Sequence, residues 1–106
     1  MPVDKRLELP RPLLDTIERV MLPIICPPVI GISAAYGSGR SIDVYVFAAG
    51  ALPEPERQAC SEAAQEILEG VRGISAVRVL VFDYSVEPLH GIGTWIFVRK
   101  GVRIHR

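Results

Sequence analysis

Only two of the 106 residues are cysteine, two are histidine and one is tryptophan. Cys26 and Cys60 are far apart and neither sits in a Cys-x-x-Cys spacing, so the sequence contains no zinc or dithiol redox motif. Two isolated thiols fit a reducing cytoplasm, where buried cysteine behaves as a small apolar residue. Net charge is absent as well: 12 basic residues cancel 12 acidic ones. That balance argues neither for nucleic acid nor for a membrane surface. A long apolar run is also missing. The most apolar stretch, 20–32, is broken by Pro23, Pro27 and Pro28, and is too short to span a bilayer. The first residues are charged and lack the apolar segment of a secretory signal. Repeats and low-complexity tracts do not occur.

What is present is an ordinary globular composition, 49% hydrophobic and 23% charged. A chain of this length predicts a single domain, 1–106, able to bury a core without disulfides or metal. Residues 1–11, with Pro2 and Pro10, read as a loosely held arm. From Pro12, the spacing of Leu13, Leu14, Ile17, Val20 and Met21 predicts a helix that Pro23 stops. Strands are predicted over 29–36 and 41–49, joined by Gly37-Ser38-Gly39-Arg40 as a hairpin, with both glycines suited to a tight reversal. A second helix is predicted over 54–69. Its stripe of Ala59, Cys60, Ala63, Ala64, Ile67 and Leu68 is small enough to lie close to a sheet, and Gly70 serves as its C-cap. Strands over 74–83 and 91–99 follow, with a short last strand at Val102 and Ile104. Alternation places Val77, Val79 and Val81 opposite Arg78, Leu80 and Phe82, and puts Trp95 and Phe97 on one face.

The order α-β-β-α-β-β predicts an α+β fold: a two-layer sandwich with a mixed or antiparallel sheet of four to five strands and helices on one face. Two helices cover one face only. The other is expected to be rich in aromatic and aliphatic side chains and to need a partner, a second copy being the simplest. Charge clusters, acidic at Glu54, Glu56, Glu62, Glu66 and Glu69 and basic at Arg99, Lys100, Arg103 and Arg106, read as solvated faces.

Chemistry, if present, concentrates at the hairpin. Gly37, Ser38, Gly39 and Arg40 precede a strand that carries one acid, Asp43. Asp83 ends a later strand. In this order the residues resemble the signature of minimal nucleotidyltransferases, in which a strand ending in Gly-Ser is followed by a strand bearing Asp-x-Asp, with a third acid after a helix. The resemblance implies a nucleotide or phosphate site at Gly37, Ser38, Gly39, Arg40, Asp43 and Asp83 that uses Mg2+. Tyr45 stands where that family places its second carboxylate, and hard cations need several oxygen ligands. A second grouping, Asp83, Glu87 and His90, has ligand-type side chains on one loop. The function that best fits an incomplete carboxylate set is a non-enzymatic, cytoplasmic, homo-oligomeric interaction or assembly module without cofactor. Its partner is itself or another protein, not a membrane or nucleic acid. A nucleotide-binding domain is the alternative. Under the first reading Asp43 is structural and accepts hydrogen bonds from the 37–40 turn.

Overall fold

The computed structural model describes residues 9–83, 89–90, 93–101 and 104–105. Among these residues two helices and six strands, numbered in chain order, run as α1 Arg11–Met21, β1 Val29–Tyr36, β2 Ser41–Ala48, α2 Glu54–Gly70, β3 Ala76–Asp83, β4 Leu89–His90, β5 Thr94–Val98 and β6 Ile104–His105. A single 3-10 turn, Leu22–Ile24, follows α1. The main sheet is four-stranded and mixed, in the order β3-β2-β1-β5. β1 is antiparallel to both β2 and β5, and β2 is parallel to β3. β4 and β6 form a separate parallel pair. This is the α+β sandwich expected from the order of elements.

Each helix starts at a proline-rich step. Pro10 precedes α1 and Pro53 precedes α2, and each helix has a further proline in its first turn, where the missing N–H costs no hydrogen bond. Glu54 and Glu56 lie at the positive end of the α2 dipole. Leu13, Ile17 and Met21 of α1 and Cys60, Ala63 and Ile67 of α2 point inward. They meet Val29, Ile32, Ala34, Ile42, Val44, Val46 and Ala48 in one buried cluster. Both helices thus share one face of the sheet. The small side chains of Cys60 and Ala63 let α2 settle closely on it.

Several local expectations need correction. The N-terminal arm is not loose throughout: Leu9 is buried in the core, and α1 begins at Arg11; residues 1–8 lie outside the described part. Gly70 does not cap α2. It is the last helical residue, Val71 follows in an extended conformation, and the positive φ (81°) appears at Gly73. Trp95 and Phe97 do not share a face. A bulge in the β1–β5 ladder pairs Phe97 with Ile32, a core residue, and Trp95 with Ser33 on the opposite side. One extra residue in the ladder reverses the alternation beyond it. Arg99 is not a solvated charge. Its Nε donates to the Val29 carbonyl (2.8 Å) and its Nη2 to the Cys26 carbonyl (2.9 Å), while its guanidinium lies over the Phe97 ring. It ties the end of β5 to the connector before β1. Of the last expected strand, Ile104 is in β6 and Val102 lies outside the described residues.

Candidate functional site

The hairpin between β1 and β2 uses its two glycines for different reasons. Gly39 has φ +64°, the left-handed region that favours glycine. Gly37 has an ordinary φ but no room for a side chain: a Cβ there would lie 2.6 Å from Ser41 Oγ and 3.0 Å from Asp43 Oδ2. The turn is closed by Gly37 N–H donating to the Ser41 carbonyl (2.9 Å) and Ser41 Oγ donating to the Ser38 carbonyl (2.6 Å). The Arg40 carbonyl then accepts from the Ser75 N–H and hydroxyl, which fixes the turn to the approach of β3.

Asp43 does not serve this turn by hydrogen bonding, contrary to expectation. Its carboxylate is bound by Arg78 on β3, with Nε to Oδ1 and Nη2 to Oδ2 both at 2.9 Å. The parallel β2–β3 ladder places Arg78 directly beside Asp43 on the face away from the helices. A fork of two parallel N–H···O bonds matches carboxylate geometry, which a lysine could not reproduce. The pair is lopsided: the Asp43 side chain is 7% exposed and that of Arg78 is 65% exposed. Hydrogen bonding to Asp43 pushes the Arg78 pKa above its usual value, reinforcing its charge. Tyr45, two residues along on the same face, has its phenol pKa raised by burial and then by the Asp43 charge. A cation seeking Asp43 would have to displace the guanidinium.

The fold gathers five of the six residues singled out in the sequence. Gly37, Ser38, Gly39, Arg40 and Asp43 sit at one end of the sheet. Asp83 does not join them. β2 and β3 run in the same direction, with Asp43 paired to Arg78 and Asp83 paired to Ala48. Five residue steps along the strand therefore part the two acids, roughly 16 Å at the usual rise per residue. One cation cannot bridge such a span with ordinary ligand distances. Of the Asp83, Glu87 and His90 grouping, Glu87 lies outside the described residues. Among the described residues no group of three or more His, Cys, Asp or Glu side chains is placed to hold a metal.

No protein-family model matches the chain, and no curated protein is similar to it.

The cysteines fit a structural role. Cys60 is buried and its thiol pKa is pushed up by burial, with Cys26 and Glu56 nearby adding to the shift. Cys26 is half-buried and shifted in the same direction, again chiefly by burial. A raised pKa keeps a thiol protonated near neutrality, the opposite of an activated nucleophile. Among the described residues no helix is long and apolar enough to cross a membrane.

The open face of the sheet carries the aromatic side chains expected of it. Tyr45 stacks on Phe82 (6.0 Å between centroids), Phe82 on Phe47 (5.9 Å), and Phe47 meets Trp95 at a tilt (5.7 Å). This aromatic row crosses from β3 through β2 to β5. Mutual stacking buries most of it: Phe47 is buried and Tyr45 and Trp95 are half-buried, leaving Phe82 the exposed ring. Beneath the row, Ser33 lies opposite both Tyr45 and Trp95 and is fully buried, yet its Oγ has no hydrogen-bond partner among the described residues. A buried, unpaired hydroxyl costs free energy. Ser33→Ala is therefore expected to raise stability by about 1 kcal/mol, read as a higher urea midpoint with unchanged slope. A lower midpoint would show that the hydroxyl has a partner worth keeping.

Proposed function

We propose that the protein is a non-enzymatic interaction module that assembles with another copy of itself through the sheet surface its helices leave uncovered. The observation that carries this reading is the aromatic row of Tyr45, Phe82, Phe47 and Trp95, which ends in the exposed Phe82 at the sheet margin. Large apolar groups concentrated on one side of a small domain mark a contact surface. The arrangement of the acids supports the same reading. Asp43 is occupied by Arg78, and Asp83 is at the far end of the sheet. The unpaired thiols, shifted toward the protonated form, suit a reducing cytoplasm.

Light scattering across a dilution series tests the proposal. The mass is expected to exceed the 11.7 kDa of one chain and to fall toward it on dilution. A mass of one chain at every concentration argues against self-assembly. A melting temperature that rises with nucleoside triphosphate and magnesium, and does not rise with magnesium alone, would favour the nucleotide-binding alternative, because a ligand of the native state must stabilise it.

A further inference from the structure

We infer that β3 is the assembly edge, and that it pairs antiparallel with β3 of a second copy about a two-fold axis at Leu80, joining two four-stranded sheets into one. This rests on the self-assembly reading above and names the contact through which it occurs.

β3 ends the sheet, so the backbone groups on its outer side have no strand partner among the described residues. Edge strands are usually blunted by being short, by a bulge, by proline or by a free charge. β3 has none of these. It is eight residues long, and its ladder with β2 runs from Ala76 to Asp83 without interruption. Of its two charges, Arg78 is already neutralised by the fork onto Asp43, and Asp83 is the terminal residue of the strand. Val81 and Phe82 are 44% and 41% exposed, and they point to opposite faces of the sheet, so the edge is apolar above and below. The opposite edge, β5, is different: five residues with a bulge in its ladder.

The choice of a second copy follows from the sequence of the strand. An isologous pair requires each residue to suit its reflection about the axis. About Leu80, Val79 faces the second copy's Val81, Arg78 faces the second copy's Phe82, and Leu80 faces itself. Like-facing residues meet, as the pleat demands. The two valine pairs lie on the helix side, where Val79 and Val81 border a cleft of about 440 Å³ that also touches Arg57 and Ser61 of α2. Pairing would seat apolar side chains against that cleft. On the other side the aromatic row would continue from one sheet toward the next, with each Arg78 plane against a Phe82 ring. No uncompensated charge is brought against its like.

Cross-linking in the otherwise native chain tests the register. With Leu80→Cys, the two introduced thiols face each other across the axis, within reach of a disulfide. Mild oxidation is expected to convert most of this variant to a reducible dimer. The native chain, with Cys26 and Cys60, sets the background. Val77→Cys should stay at that background, since its two copies would lie about 20 Å apart by the strand rise. Independently, Val81→Lys places a charge on an already exposed position and should weaken self-association at least about tenfold while the circular dichroism spectrum is retained. Three results overturn the inference. If the native chain self-associates but Leu80→Cys stays at background and Val81→Lys leaves the mass unchanged, the interface lies elsewhere and the assembly reading stands. If Val77→Cys cross-links as well as Leu80→Cys, the register is wrong. If the native chain is a monomer at every concentration, both the edge pairing and the assembly reading fall.

Discussion

Ile67→Ala is expected to lower stability by about 3–4 kcal/mol, with the urea midpoint as the readout. Ile67 is fully buried on α2, in the cluster that joins α1, α2 and the sheet. Truncation removes three carbons from a site walled on one side by strands and on the other by helix. Strands held in a hydrogen-bonded ladder cannot move inward to refill the space. The loss therefore includes a residual cavity as well as the transfer free energy of the missing groups. Domains of this size are stable by roughly 5–15 kcal/mol, so this one change removes a large share. The melting temperature should fall on the order of 15–25 °C. Leu68→Ala is the internal comparison. Leu68 is the next residue and only half-buried, so about 1 kcal/mol or less is expected. Equal effects at 67 and 68 would mean that α2 is rotated from the orientation described.

The second large effect is expected at Gly93, just before β5. Its φ is +81°, a conformation strained for any residue with a Cβ. Space is lacking as well: a Cβ built there falls onto the Ala34 carbonyl oxygen and the Ala35 Cβ. A carbonyl in the middle of β1 is held by the ladder and cannot rotate away as a side chain would. Gly93→Ala should therefore force β5 back from β1 and cost about 3 kcal/mol, combining the conformational strain with a displaced strand. Gly39→Ala separates the two contributions. Gly39 has φ +64° with nothing within 4 Å of its missing Cβ, so only the conformational part, about 1 kcal/mol, should appear. If both variants cost the same, the close approach of residue 93 to β1 is not a constraint.

Much of this architecture is legible in the residues. The prolines at positions 12, 53 and 55 announce both helix starts, and the periodicities of the two stripes identify the faces that are buried. β1 is placed without error because Pro28 and Gly37 bracket a mostly apolar run. The parts that escape sequence reading share one cause: they depend on register between distant segments. Asp43 is local to the hairpin in sequence, and proximity alone points its hydrogen bonds there. Its partner is set instead by how β3 slides against β2, and Arg78 lies 35 residues away. The same parallel register separates Asp83 from Asp43. Trp95 and Phe97 alternate in the sequence as if on one face, and only the bulge opposite β1 parts them. Arg99 reads as one more charge in a basic tail until the fold delivers the Val29 and Cys26 carbonyls to it. Gly70 fails for a different reason. Glycine after a helical stripe is a common stop signal, yet here the helix leaves through an extended Val71 and the left-handed step is deferred to Gly73.

The strand order also sets a sequence of events during folding. β1 and β2 are neighbours in the chain and can close as a hairpin within microseconds. β1 then sits inside the finished sheet, yet one of its two neighbours is β5, near the far end of the chain. Until β5 arrives, β1 presents an open, apolar edge. A long loop must close before that edge is covered, and such closures are slow compared with local pairing. On the ribosome the interval lengthens to the time needed to make everything from residue 37 to residue 98. In that window a nascent chain is most exposed to pairing with its neighbours, through β1 rather than β3. Variants that delay the docking of β5, Gly93→Ala foremost, should therefore lower soluble yield more than their equilibrium stability alone accounts for.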